Sequence, residues 1–170
     1  FGWLAELRRR CHAAGALFVL DEVICGFGRL GVTWASQHEG VGRVEPDVVI
    51  FAKGVTSGYQ PLGGVLIGPR LREPLEADPT FVLRHGHTYS GHPAACRAAQ
   101  VNLDLIETED LAARAVAIGE RLGPALGELR NAGLATEVRG LAAIWGVELP
   151  EGVDAFAVRD AMMERGVLPR

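Results

Sequence analysis

Pro46-Asp47-Val48-Val49-Ile50-Phe51-Ala52-Lys53-Gly54 decides how this chain folds. Five apolar residues stand in an unbroken row, and four of them are β-branched or aromatic. That suits a strand buried on both faces, the kind found in parallel sheets covered by helices. Upstream, Ala16-Leu17-Phe18-Val19-Leu20 repeats the pattern and ends in Asp21-Glu22. A helical pattern precedes it, with Trp3, Leu4, Leu7 and Cys11 on one face and Gly15 as the stop. Phe1, Trp3 and Leu7 are expected to dock this helix on the sheet. Downstream, Val65-Leu66-Ile67 is a third short run between Gly64 and Gly68. Glycine-rich loops separate the runs. Residues 1–70 therefore read as part of a parallel α/β sheet.

The pattern changes after Pro69. Pro93 opens a helix that runs to about Glu107, since proline fits a first turn. Asp110 begins another, running toward Arg130 with an interruption at Gly123-Pro124. Thr136–Arg139 and Ala142–Leu149 read as two strands joined near Gly140. Val153–Glu164 reads as a last helix, stopped by Gly166. Three parts are expected: residues 1–92 in a large domain, 93–109 as a connecting helix, and 110–170 as a smaller, partial α+β domain.

Composition narrows the function. Among 170 residues, Lys+Arg number 17 and Asp+Glu 21, a net charge of −4. A nucleic-acid binder gathers a basic surplus that this chain lacks. Hydrophobic residues at 48% and charged residues at 22% are ordinary globular values, which argues against disorder. No apolar run approaches the ~18 residues of a membrane span. No signal pattern stands at Phe1-Gly2-Trp3, and both ends read as cut from a longer chain. Cys11, Cys25 and Cys96 are odd in number and far apart, neither a disulfide framework nor a zinc pattern. A reduced, cytoplasmic compartment is expected.

Of the 17 basic residues, 16 are Arg and one is Lys53. Arginine cannot lose its proton in a protein, so it cannot serve as an amine nucleophile. A single retained lysine is a candidate for chemistry that needs a free amine. Lys53 and Asp21 each end a buried apolar run, and open α/β sheets bind ligands beyond the carboxyl ends of their strands. A strand-end acid also serves as a helix cap, and a neighbouring lysine also forms an ion pair; the residues alone leave these open. One chemistry needs both groups around a small ring. Pyridoxal phosphate takes a lysine as its Schiff-base partner and a carboxylate at its pyridine nitrogen.

Three segments resemble class III pyridoxal-phosphate-dependent aminotransferases. Phe18-Val19-Leu20-Asp21-Glu22-Val23-Ile24-Cys25-Gly26-Phe27-Gly28-Arg29-Leu30-Gly31 resembles their cofactor-anchoring segment. Pro46 to Gly54 is similar to their lysine strand. His85-Gly86-His87-Thr88-Tyr89-Ser90-Gly91-His92-Pro93 is similar to the loop that closes their phosphate pocket. Lys53 lies 32 residues after Asp21 and Thr88 lies 35 after Lys53, in the family's order. The resemblance continues weakly through Glu137-Val138-Arg139-Gly140-Leu141, so it covers essentially the whole chain.

The resemblance implies a fold-type I enzyme. Residues 1–92 would be the C-terminal part of its large, mostly parallel-sheet domain. Asp21 would pair with the pyridine nitrogen, Val23 would pack under the ring, and Lys53 would form the Schiff base and shuttle protons. Thr88 would bind cofactor phosphate in the other subunit's site, which implies a homodimer. Thr56 to Gly64 and His87 to His92 look most like ω-amino acid:pyruvate and amine aminotransferases. An amine or ω-amino acid donor and a keto acid acceptor such as pyruvate follow from that. Arg170 falls where such enzymes often carry an arginine for the substrate carboxylate. Aminomutase, ornithine-type, diaminopelargonate-type or decarboxylase chemistry on the same cofactor is the alternative. The family's phosphate cup and its ring-stacking aromatic residue would lie before Phe1, so this stretch alone is expected to be inactive.

Other classes fit less well. His85, His87 and His92 have spacing that zinc accepts, but nearby acids are lacking and no metal is expected. The glycines of 54–68 match neither phosphate-loop nor dinucleotide spacing, which leaves a phosphate-ligand binding domain as a weak reading. Arg8-Arg9-Arg10 reads as the solvated face of a helix rather than a partner patch.

Overall fold

A computed structural model describes residues 2–169 of the protein. The apolar runs become strands. Helix α1 (Trp3–Ala13) leads into β1 (Val19–Asp21), and β2 (Val48–Phe51) and β3 (Gly64–Ile67) complete a sheet of order β1-β2-β3. β1 and β2 run parallel with Asp21 opposite Ile50. Phe18 lies just outside β1, yet it is buried and extends the pairing: its carbonyl accepts from the Asp47 N–H at 2.8 Å.

The α/β class holds, but β3 runs antiparallel to β2, with Gly64 opposite Phe51 and Ile67 opposite Val48. The expectation of three parallel strands fails at this one. A parallel return needs a crossover, normally a helix. Between β2 and β3 the chain forms only a 3-10 turn, Lys53–Val55, before it doubles back.

Helix α2 (Pro69–Glu76) was not expected from the sequence. It has Pro69 in its first turn, and its short, charged sequence gives little periodicity to read. Helix α3 (Pro93–Thr108) starts where the sequence predicts, with His92 Nδ1 accepting from the Ala95 N–H at 3.4 Å. Helix α4 (Leu111–Asn131) is continuous through Gly123-Pro124, against the expected interruption. A proline inside a helix forfeits one backbone bond. Here the Trp145 side chain lies against Gly123 beside it, and packing carries the helix through.

Strands β4 (Glu137–Leu141) and β5 (Ile144–Glu148) form an antiparallel hairpin, followed by α5 (Ala155–Glu164) with Asp154 as its N-cap. The hairpin turns at Ala142-Ala143, not near Gly140, which pairs with Trp145 inside the ladder. Ala142 takes a left-handed φ of 47°, and its carbonyl accepts from the Trp145 indole N–H at 2.8 Å. That bond holds a turn in which glycine is absent.

The chain groups into two compact units that divide between Val116 and Ala117, inside α4. The sequence instead suggested a connector at 93–109. Buried apolar residues of the first unit include Phe18, Val44, Val55, Ala95 and Ala99; those of the second include Ala135 and Ala142. No helix among the described residues is long and apolar enough to cross a membrane.

Helix α1 is not docked by the residues expected. Trp3 is 66% exposed and Leu7 42% exposed, while Phe1 lies outside the described residues. Polar ties hold it: Arg8 Nε donates to the Glu45 carbonyl at 2.7 Å, and His12 Nε2 meets Asp47 Oδ2 at 2.8 Å. Hydrogen bonds from Arg9 and Arg10 hold the Glu6 carboxyl down to about 2, so two charges of the arginine run are answered within the helix.

Candidate active site

Because β1 and β2 are parallel neighbours, their carboxyl ends share one edge of the sheet, and Asp21 and Lys53 both belong to that edge. Asp21 is the last residue of β1. Its Oδ1 accepts from the Val23 N–H at 3.0 Å, which orients the carboxylate and leaves the other oxygen without a protein donor among the described residues. Val23, half-buried, follows in the same turn.

Lys53 is exposed and opens the 3-10 turn after β2. Among the described residues it pairs with no carboxylate. The ion-pair reading of the strand-end lysine is therefore not what the structure shows. Its backbone φ is +43°, left-handed for a residue with a Cβ, which costs roughly 1–2 kcal/mol and persists only when the surroundings enforce it. Several neighbours do so. Thr56, 2% exposed, donates its hydroxyl to the Gln60 carbonyl at 2.6 Å. Gly54 sits so near Phe27 that a Cβ there would come within 3.2 Å of the Phe27 side chain. Asn102 on α3 donates its amide to the Gly54 and Val55 carbonyls at 2.8 and 3.1 Å.

Glu22, beside Asp21, is 2% exposed and accepts from the Ala35 and Ser36 N–H groups, both at 2.9 Å. It ties the end of β1 to the far side of the glycine loop. Phe27 and Trp34 from that loop pack against Phe51 of β2, with ring centroids 4.8–6.2 Å apart. Cys25 lies in the same loop, and burial, aided by the Glu22 and Asp21 charges, pushes its thiol up. Sequence reasoning singled out neither Glu22 nor Asn102. Glu22 was hidden by its neighbour's more obvious role, and a polar residue within an apolar helix was the one available signal for Asn102.

Asp47 stands at the opposite end of β2. Burial alone would raise its carboxyl, but the Phe18 N–H at 2.7 Å, His12 at 2.8 Å and Arg70 at 3.6 Å hold it below the ordinary range. It is an anchor, remote from the Lys53 end of the strand.

Thr88 is exposed and lies in the segment before α3, whose residues 78–92 are exposed throughout. A local turn orders its surroundings, with Ser90 Oγ accepting from the His87 N–H at 2.9 Å. Among the described residues no hydrogen bond joins this segment to Asp21 or Lys53. The structure thus brings Asp21, Val23 and Lys53 to one edge and leaves Thr88 on a separate, outward segment. Arg170 lies outside the described residues. His92 caps α3, and no group of three metal-binding side chains exists among the described residues.

The family model for class III aminotransferases matches residues 1–170. The chain belongs to that family. It is 37% identical to an omega-aminotransferase of Caulobacter vibrioides over 87% of this chain and 34% of that protein. It is 36% identical to an acetylornithine aminotransferase of Xylella fastidiosa over 98% of this chain and 39% of that protein. An amine transaminase from an uncultivated Pseudomonas species, solved with pyridoxal phosphate bound, superposes with a TM-score of 0.87 at 36% identity, covering 99% of this chain and 40% of that one. The chain spans between 27% and 39% of the length of the curated relatives it matches.

Class III aminotransferases depend on pyridoxal phosphate. The residues present suit that group. An oriented carboxylate with a free oxygen matches a protonated ring nitrogen, and an unpaired primary amine on the adjacent strand end matches an aldehyde.

Proposed function

We propose that the whole protein moves an amino group from an amine or ω-amino acid to a keto acid such as pyruvate. Pyridoxal phosphate would be held by Asp21, Val23 and Lys53 and by Thr88 of a second copy. One observation carries this reading: the parallel pairing of β1 and β2 sets the only lysine of the sequence and an oriented aspartate at the same sheet edge.

When bound, the cofactor supplies an electron-withdrawing ring that stabilises negative charge on the substrate carbon bearing nitrogen. Asp21 holds a proton at the ring nitrogen through a charge-assisted bond. Val23, one turn on, offers an apolar contact. Lys53 Nζ would hold the cofactor and would be the base that takes and returns a proton at the substrate carbon bearing nitrogen. Glu22 keeps the glycine loop and its aromatic residues against β2. Thr88, on an exposed segment with no hydrogen bond to its own chain's edge among the described residues, is suited to reach across a dimer. The resemblance of residues 56–64 and 87–92 to amine aminotransferases favours an amine remote from a carboxylate.

The test uses the full-length polypeptide with pyridoxal phosphate, reduced with borohydride and mapped by mass spectrometry. A phosphopyridoxyl group on Lys53 is expected, with amine-dependent formation of alanine from pyruvate. A folded protein without that adduct overturns the reading.

A further inference from the structure

The turn after Lys53 is poorly held by its own backbone. Its internal bonds, Val55 N–H to Ala52, Thr56 N–H to Lys53 and Ser57 N–H to Gly54, are long at 3.2–3.3 Å. Lys53 at φ +43° and Ser57 at φ +50° are both left-handed without being glycine. A conformation of this kind relaxes unless something outside enforces it. Beyond the Thr56 hydroxyl bond to the Gln60 carbonyl within the turn, the hold comes from elsewhere: Asn102, 48 residues on, gives one amide to two successive carbonyls, Gly54 at 2.8 Å and Val55 at 3.1 Å. Those carbonyls belong to the first two residues after the lysine.

An amide with two donors aimed at neighbouring carbonyls fixes the plane of the intervening peptide. Fixing the Gly54-Val55 peptide fixes where the chain leaves Lys53, and with it the direction of the lysine stem. Asn102 is half-buried on α3, so the clamp refers Lys53 to a sixteen-residue helix rather than to a loop. α3 also begins directly after the segment that carries Thr88. One helix therefore sets the lysine turn at one point and starts from the phosphate-type loop at another.

We infer that Asn102 is a positioning residue for Lys53, its side-chain amide holding the lysine in the left-handed conformation required at the sheet edge. The inference rests on the proposed role of Lys53. Asparagine is specific here: an isosteric aspartate sets an acceptor against two acceptors, and alanine leaves both carbonyls undirected.

The experiment compares the full-length protein with its Asn102→Asp and Asn102→Ala variants, each loaded with pyridoxal phosphate. Three readings are taken: the pH titration of the visible chromophore, the cofactor dissociation constant, and kcat against KM for the keto acid. In Asn102→Asp the chromophore midpoint moves by at least half a pH unit, cofactor binding weakens about tenfold, and kcat falls at least tenfold with KM nearly unchanged. Asn102→Ala moves each reading in the same direction by less. A lowered melting temperature with an unmoved midpoint and an unchanged kcat marks a merely structural residue and overturns the inference. Failure of Asn102→Asp to fold leaves the decision to Asn102→Ala on the same readings; failure of both to fold counts against it. A missing Lys53 adduct in the unaltered protein sinks the functional reading and this inference together, whereas an adduct with indifferent variants sinks only the inference.

Discussion

Lysine and arginine carry the same charge, but only lysine can yield a free amine in a protein, and that difference singles out Lys53 as the candidate amine in a chain with 16 arginines. Lys53→Arg preserves charge and length and removes the nucleophile. In the full-length protein it is expected to abolish the borohydride-trapped adduct and to lower transamination by ~10²–10⁴-fold or more, the range a positioned base supplies. Asp21→Asn is the sharper companion, because an asparagine Oδ1 still accepts from the Val23 N–H and only the charge is lost. Cofactor spectra should change and turnover should fall at least ~100-fold with little loss of melting temperature; unchanged turnover would remove Asp21 from the site. Asp47 tests the opposite end of β2. Its folded carboxyl lies below the ordinary 3.8, so its contribution to stability is present in full above that value and is lost as pH falls through the lower folded one. Asp47→Asn should cost roughly 1.5–3 kcal/mol at pH 7, because Phe18, His12 and Arg70 lose an ionic acceptor, and should flatten the decline in stability between neutral and acid pH. Chemical denaturation at pH 7 and pH 3 reads both. Asp47 was visible in the sequence only as a strand opener; its buried role depends on His12 and Phe18, which reach it through the fold.

Unbroken β-branched and aromatic runs identified the strands, although β2 is only half-buried here and β1 and β3 are largely exposed; strand direction was illegible because it resides in the connection. The same limit explains helix α4. Glycine inside a helix reads as a flaw, since alanine there is better by about 1 kcal/mol. Gly119 and Gly123 are instead points of close approach to the hairpin. A Cβ on Gly119 would lie 2.5 Å from the Ala142 carbonyl oxygen, and one on Gly123 would lie 2.5 Å from the Trp145 ring. Gly127, on the same helix, faces nothing within 4 Å. Gly119→Ala should therefore destabilise by about 1–3 kcal/mol through backbone overpacking, and Gly123→Ala by a similar amount, as the indole it would strike is held by its own bond to the Ala142 carbonyl. Gly127→Ala should stabilise by about 1 kcal/mol. Thermal melts of the three variants decide it: a uniform gain would mean that helix propensity governs α4 and the hairpin does not press on it. The unglycined turn at Ala142 escaped the sequence for a related reason. Its left-handed residue is held by the indole of Trp145, a contact that turn preferences do not encode.

Among the exposed apolar side chains of the first unit are two runs close in sequence: Val65, Leu66 and Ile67 on β3, and Phe81, Val82, Leu83 and Tyr89 on the segment that carries Thr88. Exposed apolar stretches of this kind mark surfaces that meet other protein. The proposed dimer gives the second of them a purpose, and a symmetric dimer makes that purpose measurable. In such a dimer each site combines Lys53 of one subunit with Thr88 of the other. On that proposal full-length Lys53→Ala would lack the base, and Thr88→Ala would have a weakened phosphate contact that limits it at low cofactor concentration. When the two are unfolded together at equal amounts and refolded, half the dimers are mixed. In each mixed dimer one site receives an intact Lys53 and an intact Thr88, and the other receives neither. Activity at limiting pyridoxal phosphate should rise to about a quarter of that of the unaltered protein, as symmetric pairing requires. Were Thr88 to serve its own subunit, every site in every mixed dimer would carry one defect or the other, and mixing would restore nothing.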